Sequence, residues 1–135
     1  TVARIDQIGI GYGIVQRGIE LGRPFIGVNV GIGAEDDESA SDERFANLKC
    51  QLYYHLRGLF ERGEIDIDPE DVDLASELCT IRYERMSNGR LKISDKHKDD
   101  KGKTIQSPNR AEALMLAASP KRLTRGIIER EILWG

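Results

Sequence analysis

The chain has 135 residues, of which 20 are basic and 23 acidic, and its formal net charge is -3 at pH 7. This length suits one domain with a modest core, and the balanced charge excludes a globally basic nucleic-acid-binding protein. No apolar run approaches about 18 residues and no secretory signal is visible, so we predict a soluble intracellular protein. Cys50 and Cys79 lack the spacing of a zinc site, and both are predicted to be buried packing residues in a reducing compartment.

The first third of the sequence predicts a βαβ unit. Residues 2–10 are partly alternating and β-branched, which predicts a strand with Asp6 near its end. Residues 14–21 predict a short helix closed by Gly22, and the continuous apolar run at 25–31 is typical of a buried parallel strand. Strand, helix and strand within about 30 residues form such a unit.

Three helices and a hairpin are predicted in the remainder. After the acidic stretch "GAEDDESASDERF", read as a solvated loop, apolar spacing predicts a helix over 42–63 whose apolar stripe packs on the sheet. Pro69 and its neighbouring acids indicate the start of a second helix. Asn88-Gly89 is a strong hairpin signal, and Ser107 is a predicted N-cap for a helix over 108–118. Basic residues surround the hairpin turn: Arg82, Arg85, Arg90, Lys92, Lys96 and Lys98.

The stretch "RIDQIGIGYG" allows two interpretations. Its glycines, Gly9, Gly11 and Gly13, fail the G-x-G-x-x-G spacing, no acid follows the next strand and no phosphate-loop lysine is present, so nucleotide binding is disfavoured. The glycines are better explained as a close-packed bend. Asp6 is either an ordinary strand-end residue facing solvent or an ionised carboxylate that requires a partner, a metal or water. Composition alone favours the ordinary role.

An ordered set of sequence segments favours a functional role for Asp6 over the ordinary one. Five segments stand in a fixed order: "IDQIGIGYGIVQRGIELG", "FIGVNVG", "RFANLKCQLYYHLRGLF", "EIDIDPED" and "NGRLKISDKHKDDKGKTIQSPNRAEALMLA". Together they resemble the C-terminal nuclease domain of tailed-phage terminase large subunits. The resemblance runs from Ile5 to Ala118. It implies a ribonuclease-H-like α/β fold, a mixed sheet flanked by helices with a β-hairpin insertion, without the family's N-terminal strands. Residues 1–118 would form this partial nuclease domain, and residues 119–135 a C-terminal tail.

The resemblance also implies a metal-dependent active site. Family members bind two divalent ions through clustered acids, and hard oxygen ligands select Mg²⁺ or Mn²⁺. Matching the motifs assigns Asp6 and Glu112 as catalytic and metal-binding acids, with Asn109 as a further ligand. Lys96 matches a family lysine after the hairpin, where it either acts near the scissile phosphate or is a solvated hairpin end. The predicted DNA-binding residues are Arg82, Arg85, Arg90, Lys92 and Lys98.

The implied function is endonucleolytic cleavage of concatemeric DNA during genome packaging. Double-stranded DNA, the portal protein and the small terminase subunit are the implied partners, in the host cytoplasm and without a membrane. Glu112 and Asn109 stand where the family has Asp, and the family's first catalytic strand and ATPase domain are not in this sequence. Enzymatic activity of the chain is therefore left open. The alternatives are an inactive prophage remnant, a DNA-binding module of the same fold, or another ribonuclease-H-like nuclease.

Overall fold

The structure is a computed structural model, and it describes residues 2–34, 44–94 and 107–121. The described elements, in chain order, are β1 (Ala3–Asp6), α1 (Ile10–Glu20), β2 (Phe25–Val28), α2 (Leu48–Glu61), α3 (Val72–Thr80), β3 (Tyr83–Arg85), β4 (Leu91–Ile93) and α4 (Asn109–Ala117). β1 pairs with β2 in parallel, and β3 pairs with β4 in antiparallel orientation. Within the described ranges, no helix has the length and apolar character needed to cross a bilayer.

The predicted βαβ unit is confirmed, but its helix starts earlier than predicted. Asp6 lies opposite Val28 in the parallel register. Gly9, at φ 65°, turns the chain so that α1 begins at Ile10 rather than at residue 14. Gly11 and Gly13 therefore belong to the helix, and their predicted role as a bend is wrong. A Cβ on Gly11 would overlap the carbonyl oxygen of Asp6, so glycine lets α1 approach the end of β1 closely.

α2 also begins later than predicted. Asn47 is its N-cap, and the Asn47 Oδ1 accepts a hydrogen bond from Cys50 N at 3.0 Å. The predicted cap, Asp42, lies outside the described residues, and residues 44–47 are not helical. The backbone before the cap pairs with β4 instead, since Leu91 N donates to the carbonyl of residue 44 and Leu91 O accepts from the amide of residue 46. This non-local pairing is the reason why the helix prediction ran too far.

Carboxylates cap the other two helices. α3 begins after Asp71, whose Oδ1 accepts from Leu74 N at 3.0 Å, so the predicted start at Pro69 is wrong by a few residues. Pro108, not the predicted Ser107, is the N-cap residue of α4, and it provides no side-chain bond. Glu77 of α3 supplies that bond: its Oε2 accepts from the backbone N of residues 110 and 111, at 2.7 and 2.9 Å.

The core forms where α2 crosses β2 and α4, as the apolar stripe of α2 predicted. Its largest fully buried side chains include Leu48, Leu52, Met115 and Val28. Cys50 is buried as well, and desolvation raises the pKa of its thiol to about 12. Cys79 is exposed, so its predicted burial is wrong.

The hairpin at Asn88-Gly89 is confirmed. Gly89 has φ 82°, and Asn88 Oδ1 accepts from the backbone N of residue 90 at 3.0 Å. The hairpin packs on α2 through aromatic rings, because Tyr83 lies edge-on to Tyr54, whose ring also contacts Phe45. Burial raises the pKa of Tyr83 to about 12.

Candidate metal site and nucleic-acid interface

Asp6 lies at the carboxyl end of β1. Its side chain is partly buried, and its Oδ1 accepts a hydrogen bond from Ile8 N at 3.0 Å. Gln7 N donates to Val28 O at 2.9 Å, so the chain stays in register with β2 until just past Asp6. The carboxylate therefore projects from the sheet edge at which both parallel strands end.

The first turn of α2 lies at the same edge. Leu48 N donates to Ile32 O and Lys49 N donates to Val30 O, both at 2.9 Å. Residues 30 and 32 follow β2, so their carbonyls satisfy amides that the helix itself leaves without partners. These two bonds fix the start of α2 beside the carboxyl ends of the strands.

The orientation of α4 brings Glu112 to this edge. Near the end of α4, Ala117 O accepts from Arg4 Nη1 at 3.2 Å, which places the last turn beside the middle of β1. Near its start, Glu112 Oε1 accepts from Lys49 Nζ at 2.6 Å. Since Lys49 is bonded to the chain just past β2, the first turn of α4 lies at the carboxyl edge. Glu112 and Asp6, 106 positions apart in sequence, thus lie at the same edge of the sheet.

Lys49 is the site residue that sequence reasoning missed. Its side chain is 30% exposed and that of Glu112 is 26% exposed, so the ion pair is only partly screened by water. The sequence contained a signal for Lys49, because it occupies the basic position of the segment "RFANLKC", which belongs to the terminase-like pattern. The pattern alone could not show which acid this lysine contacts.

Asn109 and the two acids offer the oxygen ligands that Mg²⁺ and Mn²⁺ prefer. Asn109 is exposed and lies three residues before Glu112, on the same side of α4. Across the described residues, no group of three or more His, Cys, Asp or Glu side chains is arranged to hold a metal ion. Mg²⁺ usually takes one or two protein carboxylates and completes its shell with water and substrate phosphates. Asp6 and Glu112 supply oxygen donors of the kind that such a ligand set uses.

The basic hairpin residues fall into different environments. Strand alternation puts Arg82, Glu84 and Lys92 on the face opposite Tyr83. Lys92 Nζ lies 3.6 Å from Glu84 Oε2, so its charge is partly neutralised, whereas Arg90 is exposed beside the turn. Arg85 folds onto the turn, with its Nη1 donating to Gly89 O at 2.8 Å. The predicted Lys96 and Lys98 lie outside the described residues.

No protein-family model matches the chain, and no curated protein matches it. Solved structures do match. A Lys-to-Ala mutant of the nuclease domain of the large terminase subunit gp2 of bacterial virus Sf6, with manganese and beta-thujaplicinol, aligns with TM-score 0.61 and 22% identity. The Sf6 nuclease domain without that mutation aligns with TM-score 0.58 and 26% identity. Both comparisons cover 87% of this chain.

The chain has the fold of a terminase nuclease domain. The predicted ribonuclease-H-like class is thereby confirmed. The chain spans 64% of the length of these two Sf6 domains. Two other structures of the Sf6 mutant domain were determined with manganese and with calcium, respectively.

Proposed function

We propose that this chain is the C-terminal part of a terminase large-subunit nuclease from a phage or prophage, and that the complete enzyme cuts concatemeric DNA during packaging. The observation that carries the proposal is the terminase nuclease fold, and the placement of Asp6 and Glu112 toward the same edge of its parallel strands supports it. Ligands in open α/β sheets bind outside the carboxyl ends of the strands. We assign residues 1–118 to the nuclease domain and residues 119–135 to a tail.

Asp6 and Glu112 are the proposed catalytic ligands, with Asn109 contributing an amide oxygen. These residues would hold Mg²⁺ or Mn²⁺, which would supply an activated water and stabilisation of the leaving oxygen of a phosphodiester. Asp6 is suited to act as a metal ligand because the hydrogen bond from Ile8 N fixes the orientation of its carboxylate. Lys96 is proposed to approach the scissile phosphate. A further carboxylate, implied by the family resemblance to lie on an earlier strand, would complete the ligand set.

Double-stranded DNA is the proposed substrate, bound partly by the outer face of the hairpin. Arg82 and Arg90 are exposed and can contact phosphates, while Lys92 must first loosen its pairing with Glu84. Arg85 and Lys98 remain proposed contacts. The portal protein and the small terminase subunit are proposed partners, and the host cytoplasm is the proposed location.

The test is plasmid cleavage with Mn²⁺, using this chain and a longer polypeptide that carries the family's first strand. We expect Asp6→Asn and Glu112→Gln each to reduce cleavage by the longer polypeptide by at least about 100-fold, because each removes a ligand of charge-stabilising metal ions. Glu20→Gln is the matched control, since Glu20 forms only an exposed pair with Arg17 on α1. Wild-type cleavage by both site variants would overturn the assignment.

A second candidate function is DNA binding without cleavage. It is favoured by the Lys49–Glu112 ion pair, which partly neutralises a proposed ligand, and by Asn109 where the family has an acid. Under this alternative, the longer polypeptide would bind duplex DNA with an affinity that falls steeply as salt increases. It would show no cleavage with Mn²⁺ or Mg²⁺. Metal-dependent cleavage that requires Asp6 would exclude this alternative.

A further inference from the structure

Lys49 forms an ion pair with Glu112, one of the proposed metal ligands. Lys49 Nζ lies 2.6 Å from Glu112 Oε1, where a cation already neutralises the carboxylate. The two residues are 63 positions apart, so the pair is a tertiary contact between α2 and α4 rather than a local helix pair.

Both partners are held from the backbone. Lys49 N is bonded to Val30 O, which anchors the lysine beside the carboxyl edge. Glu112 lies in the first turn of α4, where Glu77 binds the amides of the two preceding residues. The ammonium group, at the end of a flexible four-carbon stem, is the mobile part of the arrangement.

We propose that Lys49 is a positioning residue that holds Glu112 while the metal is absent and is displaced when a divalent cation binds. This inference rests on the proposed metal site and deepens it, because it names what the metal must displace. The ammonium is bonded to Glu112 Oε1, so its positive charge repels a metal ion that approaches the same carboxylate, and a metal binding through Oε1 competes with it directly. Lys49 therefore lowers the affinity of the site for Mn²⁺ and holds the Glu112 side chain in place while no metal is bound.

The test measures Mn²⁺ binding by titration calorimetry and by the electron paramagnetic resonance signal of free Mn²⁺. Lys49→Met keeps the apolar stem and removes the charge. We expect this variant of the 135-residue chain to bind Mn²⁺ about fivefold more tightly than wild type, because a competing cation beside the ligand is gone. Arg17→Met is the control, since it removes an equal charge from the exposed Glu20 pair on α1. Its Mn²⁺ affinity should equal that of wild type.

The Mn²⁺ dependence of the melting temperature is a readout that a purely structural role of Lys49 would not change. Without metal, Lys49→Met leaves Glu112 without its cation, so its melting temperature should fall below that of wild type. Added Mn²⁺ should close this gap, because the metal supplies the missing charge and stabilises the folded state by mass action. A gap that stays constant across the Mn²⁺ titration would overturn the proposal.

The Glu112→Gln variant distinguishes this inference from the proposed site. Weaker Mn²⁺ binding by Glu112→Gln supports the metal site. If Lys49→Met binds Mn²⁺ no more tightly than wild type in that case, the metal site stands and the displacement proposal is wrong. If Glu112→Gln leaves Mn²⁺ binding unchanged, both are overturned. A gain in affinity from Lys49→Met that disappears in the Lys49→Met/Glu112→Gln double variant supports displacement. Lys49→Gln repeats the test if Lys49→Met does not fold.

Discussion

The two helices associated with the proposed site acids differ in how they are held. α4, which carries Glu112, buries Met115 and Leu116 in the core and has its first turn capped by Glu77 of α3. α1, which follows Asp6, has no side-chain cap, no acid in its first turn, and leaves Ile10 88% exposed. One helix is fixed by side-chain burial and a carboxylate cap. The other has no such cap; it buries Val15 and Gly18 and approaches the backbone of β1 closely at Gly11.

This contrast separates the two acids as well. Glu112 is ordered by contacts that span the described chain, from α3 through α4 to α2. Asp6 is ordered by its own strand and by the turn that follows. The exposed apolar side chains of α1, which include Tyr12, Ile14 and Ile19, contribute little to holding that turn. Substitutions in the two helices should therefore have unequal effects.

The largest expected difference is between core positions of α4 and surface positions of α1. Met115→Ala removes a side chain that is 2% exposed, and should lower the free energy of unfolding by about 2 to 5 kcal/mol. Ile10→Ala removes one that is almost fully solvated, and should change it by less than about 0.5 kcal/mol. Urea denaturation monitored by circular dichroism measures both. Equal losses of unfolding free energy in the two variants would show that Ile10 is buried in solution, and would contradict the difference drawn between the two helices.

The close approach of α1 to β1 gives the next largest effect. Gly11→Ala places a methyl group against the Asp6 carbonyl oxygen, so it should destabilise the fold by about 1 to 3 kcal/mol despite the better helix propensity of alanine. Gly13→Ala meets no atom within 4 Å and should instead stabilise by up to about 1 kcal/mol. Thermal unfolding of the two variants measures the sign of each stability change. Two changes of the same sign would mean that backbone approach does not hold α1.

The smallest expected effect concerns the cap of α4. Glu77→Ala removes the acceptor of two amide bonds, and should cost about 1 to 2 kcal/mol. The amides of residues 110 and 111 should also exchange with solvent faster. Glu70→Ala is the control, because Glu70 lies in an exposed turn before α3. Unchanged amide protection in Glu77→Ala would show that α4 does not depend on this carboxylate.

The sequence predicted those parts of the structure whose causes are local. Asn88-Gly89 determines a hairpin by its own backbone preferences, and apolar spacing placed the stripe of α2. Asp6 was recognisable as a charge on an apolar strand. Each of these signals lies within a few residues of the feature that it predicts.

The parts that the sequence did not predict depend on contacts between distant residues. The cap of α4 comes from a carboxylate 34 positions before Ala111, and the partner of Glu112 lies 63 positions away. The start of α2 shifted because the preceding backbone pairs with Leu91. Gly9 forms the predicted bend, but Gly11 and Gly13 were misassigned because only the folded arrangement shows that α1 starts at Ile10 and how close it comes to Asp6.

The pairing of Leu91 with the backbone on either side of Phe45 has a mechanical consequence. It joins the hairpin, through one short covalent span, to the helix turn that carries Lys49. The rings of Phe45, Tyr54 and Tyr83 brace the same junction. The hairpin is therefore held in a fixed position relative to the first turn of α2, and through that turn relative to the carboxyl edge of the sheet.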